Sequence, residues 1–177
     1  AATFLVLTFT GCLSVYLLIK ETLARELKGT TGKVAPLISG IFYLLNPYSM
    51  SQIWGRGIYS QFFAFALVPA FLLLFVVGLR RKNLIFGLFM VFISLLMSSI
   101  YTFPGNVLML WLVVFLYLLF YIRLNLKNKK NIYFGLFFFA LTFFGWVLTN
   151  LFWILPYLTI SNREYTGFIN TDANIAS

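Results

Sequence analysis

Residues 83–122 form a run of 40 residues without one charged side chain, and this run limits what the chain can fold into. A helix needs about 20 apolar residues to cross a hydrocarbon core about 30 Å thick. The run is therefore long enough for two transmembrane helices. Pro104, Gly105 and Asn106 lie in its middle, and such a group predicts the turn between the two helices.

The composition of the whole chain also indicates a membrane protein. Of the 177 residues, 62% are hydrophobic and 10% are charged. In soluble domains about 45–50% of residues are apolar and about 25% are charged. The chain has no histidine and one cysteine, Cys12, which excludes His-based catalysis and a disulfide framework. The expected fold class is all-α, a polytopic transmembrane helix bundle with about six spans.

Charged residues and turn signals set the expected span boundaries, because a charge inside lipid is costly. The expected spans are residues 1–19, 35–47, 61–79, 84–103, 107–122 and 132–155, within one domain over 1–177. Pro156 is expected to end or bend the last helix. The chain starts without Met in an apolar run and stops in a polar segment, so we expect an internal piece of a longer protein.

The basic residues predict an orientation. Eleven of the 13 Lys and Arg residues fall in three alternate segments, 20–34, 80–83 and 123–131. The positive-inside rule places those loops in the cytoplasm. The first residue, the loop at 48–60 and the tail at 161–177 are then expected outside a cell membrane. The net charge of +9 serves this orientation and contact with membrane lipid rather than nucleic acid.

The most unusual segment joins the second and third spans, where Pro47 biases Asn46 toward an extended backbone. Arg56, between Gly55 and Gly57, is the sole charge in this outer loop. A guanidinium pairs bidentately with phosphate oxygens, while aromatic rings stack on sugars and amides bond hydroxyls. The candidate substrate-binding residues of this segment are Arg56, Tyr48, Trp54 and Gln61. The alternative is an ordinary surface loop whose Arg56 contacts lipid headgroups or a carbonyl.

Asn150 lies inside the last span, about two turns from its outer end. An unpaired amide is costly there, so Asn150 should face another helix or a wet cavity. It is a further candidate substrate-binding residue, with an inter-helix hydrogen bond as the alternative. Ser94 and Ser98 are better explained by close helix packing. No nucleotide-binding, hydrolase or metal-binding motif occurs, so no catalytic residue, metal ligand or cofactor is assigned.

Several of these features together resemble one enzyme family. They are the segment Leu45-Asn-Pro-Tyr48, Arg56, Pro69, the basic turn Arg80-Arg81-Lys82 and the ending Phe152-Trp-Ile-Leu-Pro156. Most of residues 1–160 are similar in this pattern to C-type, multi-spanning membrane glycosyltransferases of the arabinofuranosyltransferase-like kind. These enzymes take sugars from polyprenyl-phosphate carriers at the outer membrane face.

The resemblance implies a function for Arg56, but it assigns the catalytic carboxylate to no residue of this chain. Arg56 would contact the lipid phosphate of a lipid-linked sugar donor, with Tyr48, Trp54 and Gln61 lining the site. The family's catalytic carboxylate belongs to an outer loop that would precede Ala1, so it is expected outside this fragment. Two other functions stay open, a transporter or flippase for a lipid-linked substrate and a non-catalytic membrane scaffold subunit.

Overall fold

The structure of the protein is a computed structural model that describes residues 2–23, 29–47, 51, 59–97 and 104–175. Over these ranges the chain forms six helices and no strand. The helices are α1 (Ala2–Thr22), α2 (Thr30–Leu45), α3 (Tyr59–Arg81), α4 (Ile85–Leu96), α5 (Pro104–Leu124) and α6 (Lys129–Ile175). The predicted all-α class is confirmed.

Three segments within these helices are long and apolar enough to cross a membrane. They are Leu5–Thr22 in α1, Gly105–Leu124 in α5 and Lys129–Thr159 in α6. Two shorter apolar helices, α2 and α4, accompany them. The lengths and composition of these helices are compatible with insertion into a bilayer.

Odd-numbered helices run in one direction through the bundle. Leu7 clusters with Ala66 near the start of each helix, and Glu21 lies near Arg80 at the end of each, so α1 and α3 are parallel. Phe71 of α3 contacts Trp111 of α5, and the two rings are 6.0 Å apart. Further along both helices the Tyr121 hydroxyl donates to the Leu79 carbonyl, so α5 is parallel to α3.

Even-numbered helices run in the opposite direction. Gly11 of α1 lies beside Tyr43 of α2, whereas the later Cys12 lies beside the earlier Gly40, so this pair is antiparallel. In α6, residues near its start contact the end of α5 and residues further on contact the middle of α5. The pairs are Gly135 with Tyr121, Phe139 with Phe115 and Trp146 with Trp111.

This alternation gives the bundle two chemically different ends. At one end α1, α3 and α5 finish, with Lys20, Arg80, Arg81 and Arg123 in their last turns. We call it the basic end. At the other end α2 and α4 finish while α3 and α5 begin; we call it the opposite end.

The centre of the bundle is α3, which packs against α1, α4, α5 and α6. Its Phe71, Phe75 and Leu79 are buried and form a continuous apolar core with α5 and α6. The outer faces of the other helices carry large exposed apolar side chains; Phe9, Leu108 and Phe144 are all more than 60% exposed. A surface of that kind suits contact with lipid tails rather than water.

Two glycines, one on α3 and one on α4, allow close contact with α6. The ring of Phe138 lies against Gly78 and Gly87, and a Cβ atom added at Gly78 would overlap that ring. Small residues at such points let helices approach closely, which is how helices associate in a membrane. Phe138 is therefore held between two neighbouring helices and is fully buried.

The last helix differs from its predicted boundaries. It was expected to end near residue 155 with an outer loop at 161–177, but α6 continues through Pro156 to Ile175. A proline inside a helix removes one backbone N–H and the hydrogen bond that it would donate. Membrane helices tolerate this loss because neighbouring groups can satisfy the freed carbonyl. Pro36 and Pro69 lie inside α2 and α3 in the same way.

Other boundaries differ as well. The turn predicted at Pro104, Gly105 and Asn106 is wrong, because these residues form the first turn of α5, which was expected to start at residue 107. The second helix starts at Thr30 rather than at residue 35, so Lys33, expected in a loop, lies in its first turn. The fourth helix ends at Leu96 within the described residues, where a span to 103 was expected, and residues 98–103 lie outside them. Charge marks the position of a membrane boundary better than it marks a helix end, since Lys is a good helix former. The extended backbone predicted for Asn46 is confirmed, with φ −67° and ψ 153°.

Candidate functional site

A buried polar cluster joins α4 to α6 in the half of the bundle nearer the opposite end. Its centre is Asn150, and both Asn150 and Ser94 are completely shielded from solvent. The Asn150 side-chain Nδ2 lies 3.3 Å from Ser94 Oγ on α4 and 2.9 Å from the Trp146 carbonyl on its own helix. The Ser94 hydroxyl donates in turn to the Val91 carbonyl at 2.6 Å.

The other side of the Asn150 amide is also paired. Trp153 lies three residues along α6, and its indole Nε1 donates to Asn150 Oδ1 over 3.0 Å. A buried amide is stable only when its donors and its acceptor all have partners. Asn150 meets that condition with groups of this chain, so the structure shows the inter-helix hydrogen bond that the sequence left open beside substrate binding.

Aromatic rings enclose this cluster on the α5 side. Trp146 lies 6.2 Å from Trp153 and 5.5 Å from Trp111, measured between ring centroids. The Phe143 ring stands edge-on to Trp111 at 4.9 Å. Trp111 Nε1 is buried without a hydrogen-bond partner among the described residues. The surroundings of Asn150 are thus dry and tightly packed, which suits a structural link between helices.

The structure describes little of the remaining predicted site residues. Tyr48, Trp54 and Arg56 lie outside the described residues, and Gln61 is described only as a position in the first turn of α3. The chain leaves α2 at Leu45 and enters α3 at Tyr59. Both points belong to the opposite end of the bundle, away from Arg80. The structure therefore neither joins these residues to Asn150 nor separates them from it.

A second concave feature lies at the basic end, and sequence reasoning did not find it. A groove of about 350 Å³ runs between α1 and α5, with α3 at its base. Its lining includes Thr22, Arg80, Tyr121 and Asn125. Arg80 Nη1 lies 3.9 Å from Glu21 Oε2 on α1, with both side chains partly exposed. The run Arg80-Arg81-Lys82 marks this region in the sequence, but the groove depends on three helices far apart in the chain.

Metal chemistry has no support in the described part of the chain. Among those residues no group of three or more Cys, Asp or Glu side chains comes together as a metal site would require. Comparison with protein-family models, with curated proteins and with solved structures finds no match for this chain. Functional assignment therefore depends on the residues and on their arrangement.

Proposed function

We propose that this chain is the membrane core of a glycosyltransferase that uses a polyprenyl-phosphate-linked sugar at the outer face of a cell membrane. One observation carries the proposal. The helix ends that flank the Arg56 segment lie at the opposite end of the bundle, away from Lys20, Arg80, Arg81 and Arg123. An outward-facing donor site in this segment requires its flanking helix ends to lie on the side away from the basic residues.

The orientation is part of the proposal. The basic end faces the cytoplasm by the positive-inside rule, and the six helices act as membrane crossings. The Arg56 segment then faces outward, where lipid-linked sugars are used without a nucleotide. This agrees with the lack of any nucleotide-binding motif in the sequence.

The chemistry assigned to the segment is donor binding. Arg56 pairs with the phosphate of the carrier lipid, and Tyr48, Trp54 and Gln61 contact the sugar. In the transfer step the acceptor oxygen bonds to the anomeric carbon while the bond from that carbon to the phosphate oxygen breaks. The electron pair leaves with the polyprenyl phosphate, and a carboxylate takes the acceptor proton. Arg56 stabilises the negative charge that develops on the leaving phosphate.

The test is binding of polyprenyl phosphate to the protein in lipid nanodiscs. Arg56→Ala is expected to lose most of the bound lipid phosphate, because the cation that faces the phosphate is removed. Arg163→Ala is the matched control, since Arg163 is the other basic residue predicted on the outer side. Equal binding by the Arg56 variant and by the unmodified protein would remove Arg56 from the donor site.

The same preparation separates the alternatives. Movement of a lipid-linked sugar across liposomes without sugar transfer would indicate a transporter or flippase. Absence of both polyprenyl-phosphate binding and sugar binding would indicate a scaffold subunit. Sugar transfer by the protein in its complete form, lost on substitution of Arg56, is the outcome that the proposal predicts.

A further inference from the structure

The groove at the basic end has an apolar continuation toward the middle of the bundle. A second cavity of about 170 Å³ is lined by α1, α3 and α5, including Leu18, Leu72, Val113 and Val114. Thr22 and Tyr117 line both cavities, so the two form one continuous groove. Its inner part has almost wholly apolar walls, whereas its outer part ends at Arg80 and Asn125.

The dimensions of this groove match part of one lipid molecule. Leu72 and Arg80 are eight residues apart on α3, which is about 12 Å along a helix. Half of a hydrocarbon core is about 15 Å thick. An acyl chain lying against Leu72 and Val113 would therefore bring its headgroup to the level of Arg80.

The charge at the mouth selects the headgroup. The nearby helix ends carry Lys20 and Arg123 in addition to Arg80. Glu21 is the acidic side chain that the structure places beside Arg80, and the pair is long at 3.9 Å. Among the residues described at this end of the bundle, Glu21 is the one carboxylate, so their summed charge is strongly positive. The hydroxyl of Thr22 and the amide of Asn125 add polar groups to the lining beside the guanidinium.

We propose that the groove between α1, α3 and α5 binds one anionic phospholipid, with an acyl chain against Leu72 and Val113 and its phosphate at Arg80. The phospholipid comes from the membrane leaflet at the basic end. This site is separate from the proposed donor site at the opposite end, and neither proposal depends on the other. If the groove binds a phospholipid in this way, that lipid stays with the protein when the bulk membrane is exchanged.

The test is native mass spectrometry of the protein taken from nanodiscs of phosphatidylcholine mixed with phosphatidylglycerol. The unmodified protein is expected to retain one phosphatidylglycerol in preference to phosphatidylcholine. Arg80→Gln is expected to reduce that preference about fivefold, the effect of one basic residue near a membrane surface. Arg81→Gln is the matched control. It removes the same charge from the next residue of the chain, whose side chain lies over the Phe86 ring and does not line the groove.

Two more variants distinguish binding from a structural role of Arg80. Glu21→Gln removes the competing carboxylate, so it is expected to increase retention of phosphatidylglycerol, whereas a purely structural ion pair predicts a decrease. Val113→Trp fills the inner groove without changing any charge and is expected to abolish retention. Equal losses from Arg80→Gln and Arg81→Gln, or no preference for phosphatidylglycerol in the unmodified protein, would overturn the proposal.

Discussion

The hydroxyl of Tyr43 on α2 donates a hydrogen bond of 2.7 Å to the backbone carbonyl of Phe65 on α3. Phe65 precedes Pro69 by four residues, and in a regular helix residue 69 would supply the donor for that carbonyl. Proline has no N–H, so residue 69 cannot supply that donor. The two rings also stack, with centroids 4.3 Å apart. One helix thus donates a hydrogen bond to the carbonyl to which Pro69 of its neighbour cannot donate.

This relationship makes the effect of Tyr43 depend on Pro69. Tyr43→Phe is expected to lower the free energy of unfolding by about 1 kcal/mol, because it removes the hydrogen bond and keeps the stacked ring. In a Pro69→Ala background the cost is expected to fall, since the alanine has a backbone N–H that can donate to the Phe65 carbonyl. Unfolding of the four proteins of this double-mutant cycle in detergent measures the difference. An equal cost in both backgrounds would contradict the explanation.

The Asn150 cluster is expected to stabilise the contact between α4 and α6. Asn150→Leu should lower the free energy of unfolding by about 1–2 kcal/mol, because Ser94 Oγ and Trp153 Nε1 both lose a partner in a dry environment. Thr159→Val is the control, as that hydroxyl is exposed and bonds only to carbonyls of its own helix. If both variants unfold alike, the cluster does not link the helices.

A side chain at Gly78 is expected to destabilise the protein while Phe138 is present. Gly78→Ala should cost about 1–3 kcal/mol, the usual range for overpacking a close contact, because its Cβ would overlap the Phe138 ring. Phe138→Leu in the same protein should recover part of that loss. Gly105→Ala meets no atom within 4 Å and serves as the control. Thermal unfolding of these variants in detergent measures the differences. If Phe138→Leu recovers none of the stability lost in Gly78→Ala, the contact does not explain the loss.

The proposed orientation can be tested with single cysteines. Cys12 is the only native cysteine, so Cys12→Ser gives an unreactive background. In that background Ser51→Cys is expected to react with an impermeant maleimide in intact cells, because the proposed orientation puts the segment after α2 outside. Asn125→Cys, at the basic end, is expected to react only after the cells are permeabilised. The reverse pattern would invert the topology, and with it the proposed outer donor site.

The sequence predicts the class of the fold better than it predicts the contacts between helices. The charge-free run at 83–122 and the spacing of basic residues are enough to expect an all-α bundle, because the cost of charges in lipid is a local property. Pro156 shows the limit of that reasoning. Proline propensity predicts that the helix ends or bends there, whereas α6 continues to Ile175. Helices in a membrane can tolerate one missing hydrogen bond of this kind.

The candidate sites show the same limit. Asn150 could be recognised as a buried amide, but its partner Ser94 lies 56 residues away, and no local pattern pairs the two. Arg80 could be recognised as part of a basic turn, whereas its groove exists only because α1 and α5 both pack on α3. Contacts between distant helices depend on side-chain fit, which one sequence does not reveal.

The length of α6 has a consequence for the membrane around it. Its apolar segment has 31 residues, which is about 46 Å of helix against a hydrocarbon core of about 30 Å. Tilt alone would have to reach about 50°, which is steeper than the usual limit of about 40°. In the proposed membrane arrangement the surrounding bilayer must therefore thicken locally, or apolar surface must project beyond it. The cost of this hydrophobic mismatch falls as the acyl chains of the surrounding lipids become longer. The protein is then expected to be most stable in thick membranes.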